Sequence, residues 1–165
     1  MPKTEHRIRI EPAHESHASL ILYFVRQLAE YERLLDKVEA DEERIRTSLF
    51  GPKPCAEALL AYFDDQPVGF AIFFQTYSTF LAKPGIYLED VFVEQKYRGH
   101  GVGKALLVYL AKLALERGGA RFEWSVLNWN EPSIQFYKAL GAEPLDEWTQ
   151  YRVSGDNLRK LAETL

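Results

Sequence analysis

The stretch from Ile86 to Gly118 limits what this chain can become more than any other. Ile86-Tyr87-Leu88-Glu89-Asp90-Val91-Phe92-Val93 is β-branched and aromatic enough to be a buried strand. A short link, Glu94 to Tyr97, leads into Arg98-Gly99-His100-Gly101-Val102-Gly103-Lys104. Leu106, Leu107, Leu110, Leu113 and Ala114 then recur at helical spacing until Gly118-Gly119 stops the helix. A glycine-rich turn therefore joins a strand end to a helix start. The first N–H groups of such a helix have no partner within it, and its dipole favours negative charge there. Glycines let backbone approach a ligand closely, so the turn is a seat for a phosphate or pyrophosphate.

The spacing separates this turn from two familiar phosphate loops. A Walker A loop places four residues between its glycines and ends in Lys followed by Ser or Thr. Here three residues separate Gly99 from Gly103, and Ala105 follows Lys104. The dinucleotide fingerprint G-x-G-x-x-G also fails, because Gly99-x-Gly101 runs on to Lys104 and Gly101-x-Gly103 to Leu106. Arg-Gly-x-Gly-x-Gly after a strand with an acidic pair resembles the pyrophosphate loop of the GNAT acyltransferases, which bind acetyl-coenzyme A (acetyl-CoA).

At 165 residues a single domain over 1–165 is expected. Arg7 to Ile10 alternates as a first strand that Pro12 ends, and a helix is expected to follow, to about Leu35. A second, more charged helix spans Asp41 to Phe50. Ala58 to Phe63 and Val68 to Phe74 form a hairpin, and Gln75 to Gly85 a longer loop. After the glycine-loop helix come a strand from Arg121 to Leu127 and a helix capped by Asn130 with Pro132 in its first turn. Thr149 to Val153 is expected as a last strand and Asp156 to Leu165 as a terminal helix. This order is mixed α/β, with a mostly antiparallel sheet flanked by helices, as in the GNAT fold.

Charge and cysteine content narrow the setting. Net charge is −4 and the pI near 5.6, which leaves no electrostatic footprint for nucleic acid. Cys55 is the one cysteine, so no internal disulfide or cysteine-based zinc site is possible, which suits a reducing cytoplasm. His14 and His17 lack a third ligand and read as surface histidines, so no metal is expected. Met1 to His6 has no apolar targeting run, and no segment approaches a membrane span.

A closer resemblance rests on two blocks. Tyr87-Leu88-Glu89-Asp90, Phe92-Val93, Tyr97-Arg98-Gly99 and Gly101-Val102-Gly103 form one; Trp129 to Ile134, Phe136-Tyr137-Lys138 and Gly141-Ala142 form the other. Both resemble the diamine/polyamine N-acetyltransferases, the spermidine/spermine group. The resemblance implies that Val91, Phe92 and Val93 meet the acetyl-pantetheine arm through their backbones. It implies that Arg98, Gly99, His100, Gly101, Val102, Gly103 and Lys104 hold the pyrophosphate, and that Asn130 and Ser133 bind the distal arm. Tyr31, Glu32 and Glu89 would border a small-molecule amine, and the chain would be a homodimer. Ser78 and Phe80 stand where polyamine-acetylating members carry an acid and a tryptophan, so a long polycation should be held less well.

The chemistry assigns roles. An amine is protonated at neutral pH and must lose a proton before attacking a thioester. Glu89, expected at strand depth, is the candidate base, proton relay or substrate anchor, with Asp90 on the opposite face because strand side chains alternate. N–H groups of Val91 and Val93, freed if neighbouring strands splay, would hold the acyl oxygen. Spacing alone makes Tyr137 a core aromatic; the resemblance makes it the acid that protonates the leaving thiolate. Two other readings stay open: an acetyltransferase of protein lysines or N-termini, and a non-catalytic CoA-binding sensor.

Overall fold

A computed structural model describes residues 7–165; residues 1–6, and the targeting-run expectation placed on them, lie outside. Strand β1 (Ile8–Pro12) is followed by helices α1 (Ala18–Tyr31) and α2 (Glu42–Phe50). Strands β2 (Glu57–Phe63), β3 (Gln66–Ser78) and β4 (Lys83–Val93) come next, then helix α3 (Val102–Glu116) and strand β5 (Arg121–Trp124). These build the first of two compact units, which ends at Ser125. Its sheet runs β1-β2-β3-β4-β5, antiparallel except for the parallel pair β4–β5. Parallel neighbours need a crossover, and α3 supplies it.

Side-chain alternation gives the sheet two apolar faces. Leu60, Phe70 and Phe92 share one face and pack with Ala18, Ile21 and Phe24 of α1 and Ile45 of α2. The rings of Phe24 and Phe70 stack with centroids 5.7 Å apart. Leu59, Ala61, Ala71, Phe73, Ile86 and Leu88, which point the other way, are buried as well. Helix α3 lies against the strands and buries Val102, Leu106, Leu107, Leu110 and Ala114. A bidentate ion pair ties the two ends of this layer: Arg117, the C-cap of α3, donates to both carboxylate oxygens of Glu57 at 2.8 Å. Both side chains are partly solvated, so the pair is worth about 0.5–1 kcal/mol. Arg117→Met should lower Tm by roughly 1–4 °C in a thermal melt, without changing the site.

Several expectations need correcting. The first helix stops short of the expected Leu35, because Arg33 takes a left-handed φ of 61° just past its end. The loop expected at Gln75 to Gly85 is mostly sheet: β3 runs to Ser78, β4 starts at Lys83, and only residues 79–82 turn. Ser78 is buried, and its Oγ accepts the Leu81 N–H at 3.3 Å to close that turn.

The second unit, residues 126–165, contains α4 (Glu131–Ala139) and α5 (Gly155–Ala162). Asn130 caps α4 as expected, its side-chain oxygen accepting from the Ser133 N–H at 3.4 Å, with Pro132 in the first turn. Thr149 to Val153 does not form the expected strand. A strand needs a hydrogen-bonded neighbour, and residues 126–165 contain no other strand to supply one.

Candidate active site

The glycine loop presents bare amides. Gly99 (φ 78°) and Gly101 (φ 90°) adopt left-handed backbone, and Gly101 stands at the N-cap of α3 without a side-chain cap. Ala105 is the first α3 residue to bond back, its N–H donating to the Gly101 oxygen at 2.9 Å. The N–H groups of Val102, Gly103 and Lys104 have no acceptor among the described residues. The space in front of them is open. A Cβ added to Gly103 would meet only Val93 Cγ2, at 3.9 Å, and one added to Gly99 would meet nothing within 4 Å. The Val102 side chain is buried, so it offers only its amide, and the His100 ring packs on Phe63 with centroids 5.3 Å apart. Three convergent donors at a helix N-terminus with room before them fit a diphosphate.

The strand leading into the loop has an open edge. Pairing with β5 runs from Gly85 opposite Arg121 to Leu88 opposite Trp124 and stops, while β4 continues along β3 to Val93. Glu94 donates its N–H to the Val68 oxygen at 2.8 Å. Alternation then turns the Phe92 N–H toward β3 as well, and the Val91 and Val93 N–H groups toward the edge that β5 has left. A thioester arm laid along that edge would meet free donors.

Register decides where the carboxylates go. Leu88 pairs with Phe73 and Asp90 with Ile72, so Glu89 is the extra residue of a β-bulge. This overturns one expectation. Glu89 is exposed rather than at strand depth, and Asp90 is the half-buried member of the pair. Paired with Ile72, Asp90 shares the face of Phe70 and Phe92, toward α1. Burial above all, then the nearby charges of Glu89 and Glu32, push the Asp90 carboxyl up to about 6. Burial also raises Glu32, the C-cap of α1. None of these three carboxylates has a hydrogen-bonding or ionic side-chain partner among the described residues. That Asp90 is the less exposed of the two acids could not be read from the sequence, because the one-residue slip that re-aims it leaves no mark in composition.

Arg98 joins the cofactor-type loop to α1. Its Nε donates to the Val93 oxygen at 2.8 Å, and its guanidinium lies over the rings of Tyr31, at 4.6 Å, and Phe92, at 5.3 Å. Its side chain is therefore partly committed to the strand end, whatever its backbone does for a phosphate. Tyr31, Phe92 and Arg98 line part of an open groove of ≈ 510 Å³ along α1. In the second unit, Asn130 is 8% exposed, Ser133 and Tyr137 are half-buried, and the Tyr137 ring tilts against Phe136 at 5.6 Å. Among the described residues no His, Cys, Asp and Glu cluster could hold a metal, and no helix is long and apolar enough to cross a membrane.

Comparisons with known proteins place this geometry. The model of the Acetyltransferase (GNAT) family matches residues 18–142. Thialysine N-epsilon-acetyltransferase of Sus scrofa is 37% identical over 166 residues, covering 94% of this chain and 97% of the relative. L-ornithine N5-acetyltransferase NATA1 of Arabidopsis thaliana is 45% identical over 93 residues, covering 56% of this chain and 41% of the relative. Among solved structures, an integron cassette protein from the mobile metagenome of V. cholerae superposes with a TM-score of 0.79 at 27% identity, covering 94% of this chain and 98% of that one. Since the family match runs from α1 through α4, and so takes in both the bulged strand and the loop of bare amides, this chain belongs to the GNAT family of acetyltransferases.

Proposed function

We propose that this N-acetyltransferase moves an acetyl group from acetyl-CoA to a primary amine of a small molecule by direct attack, without a covalent enzyme intermediate. The observation that carries the reading is a juxtaposition on β4. Past the end of its pairing with β5, the strand has a free edge and runs on to the bare amides at the head of α3. It carries Glu89 and Asp90, which with Glu32 have no cation paired to them among the described residues. Two relatives are named for acetylating thialysine at its ε nitrogen and L-ornithine at N5, which favours a short basic amine. The hairpin tip also favours a short substrate. Its Ser78 closes the turn instead of offering a charge, so nothing there would hold the far end of a polyamine.

The chain's residues divide the work as follows. The N–H groups of Val102, Gly103 and Lys104, with the backbone of Arg98 to Gly101, bind the diphosphate of acetyl-CoA, which supplies the activated acyl group. The Val91 and Val93 amides orient the acyl oxygen, with Phe92 contributing backbone alone. Asn130 and Ser133 bind the distal arm, and Tyr137 gives a proton to the leaving sulfur; the resemblance supports all three roles. Tyr31 and Glu32 border the amine, and Glu89, exposed on the bulge, draws the ammonium in from water.

The chain acts as one acetyltransferase domain over 1–165, supported by a family match that crosses Ser125. A cytoplasmic homodimer with no nucleic-acid or membrane partner completes the reading, and sedimentation checks the dimer. The deciding experiment follows free thiol while the protein meets acetyl-CoA and thialysine, ornithine, a short diamine, spermidine or a lysine peptide. Release is expected with the short amines and weakest with spermidine. Release with the peptide alone would select the protein-acetyltransferase reading, and tight binding of acetyl-CoA without release would select the sensor.

A further inference from the structure

We propose that Asp90, the residue just past the bulge, takes the proton from the bound amine, while Glu89 gathers the ammonium at the mouth of the site. The inference rests on the amine-acetylation reading above. Geometry separates the two adjacent acids. The bulge leaves Glu89 exposed, where water screens it, whereas Asp90 is half-buried on the Phe92 face. Asp90 also directly precedes Val91, whose N–H faces the free edge and is the proposed donor to the acyl oxygen.

The surroundings suit a base. Strand β3, the ladder neighbour, carries no charged side chain. The charged residues of β5, Arg121 and Glu123, pair opposite Gly85 and Tyr87, back along β4 from the bulge. Glu32 on α1 and Glu89 on β4 are the groups whose charges act on Asp90, and both are negative. The guanidinium of Arg98 is spread over Tyr31 and Phe92 rather than paired with a carboxylate. A carboxylate in this setting binds a proton more firmly than a solvated one, so it is a better acceptor near neutral pH.

The step balances. The ammonium gives one proton to Asp90 Oδ, and the nitrogen lone pair thus freed forms the C–N bond to the acetyl carbon. The carbonyl π pair moves onto oxygen, held by the strand amides, and returns as the C–S bond breaks. Tyr137 gives its proton to the departing thiolate and regains one as the nitrogen sheds its second proton, and Asp90 returns its own proton to water. One amine, one acetyl thioester and no other reactant give amide, free thiol and one released proton.

The test compares Asp90→Asn and Glu89→Gln with the unaltered protein across pH 5 to 9, using the amine that it acetylates best. In the unaltered protein kcat/KM should fall below a pH near 6, since the base must be ionised. Asp90→Asn should lower kcat about 10²-fold and abolish that acid limb. Glu89→Gln should raise the amine KM several-fold, keep the limb and change kcat little. A second readout needs no activity. The unfolded chain ionises Asp90 at ordinary carboxylate pH, so between about pH 4 and 6 it binds fewer protons at this site than the folded one. Folding therefore loses stability there as pH rises, and the loss persists above 6. Asp90→Asn should accordingly melt several degrees higher at pH 7.5, the gain shrinking toward pH 4. A retained acid limb in Asp90→Asn, or its loss in Glu89→Gln, overturns the assignment while acetylation itself stands. No thiol release by the unaltered protein with any amine overturns the functional reading, and this proposal with it.

Discussion

Tyr137→Phe should lower kcat about 10²–10⁴-fold while acetyl-CoA binds almost as before. The substitution removes one oxygen and keeps the ring, so the packing against Phe136 on α4 is preserved. In the proposed mechanism what is lost is a proton source. A thiolate leaving group has a conjugate acid near pKa 8.5, and a tyrosine near 10 can protonate it at modest expense. Without that donor the thiolate must leave uncompensated or wait for water. Acid catalysis of this kind is worth about 10²–10⁴-fold, which sets the expected loss. Steady-state rates, with acetyl-CoA affinity measured separately by calorimetry, check it. An unchanged kcat would remove Tyr137 from the mechanism, and equal loss of affinity would make it a packing residue.

Gly103→Val should weaken acetyl-CoA binding about 10²-fold and leave the melting temperature nearly unchanged. Side chains on a helix lean toward its N-terminus, so a valine at this second helical position would project over the bare amides. The protein itself has room: the added Cβ meets nothing closer than Val93 Cγ2 at 3.9 Å. Charge-assisted hydrogen bonds contribute about 1.5–3 kcal/mol each, so excluding the phosphate from one or two of them gives the stated loss. Gly101→Val is the contrasting variant. There the φ of 90° forbids a β-branched residue, so both affinity and stability should fall. If Gly103→Val bound acetyl-CoA like the unaltered protein, the diphosphate would not sit at this helix.

Much of this could be read in advance because it depends on local chemistry. The bare amides of Val102 to Lys104 follow from a glycine-rich strand–helix junction wherever one occurs. The Asn130 cap and Pro132 in the first turn of α4 follow from hydrogen-bonding groups within four residues. Other features depend on distant partners. Gln75 to Ser78 and Lys83 to Gly85 carry weak strand signals, yet they pair because β3 and β4 face each other along their whole length. Thr149 to Val153 alternates like a strand and forms none, since residues 126–165 offer no ladder. Arg98 could be expected on a phosphate; its place over Tyr31 depends on where α1 ends.

By itself the sequence determined the α/β class, the element order around the central strand, the bare amides at the head of α3 and the family, because each is written in periodicity and short-range spacing. Only the tertiary structure decided which of two adjacent acids is half-buried. A bulge shifts one strand by one residue against its neighbour, and the neighbour that defines that shift, Ile72 opposite Asp90, lies eighteen positions away in the chain.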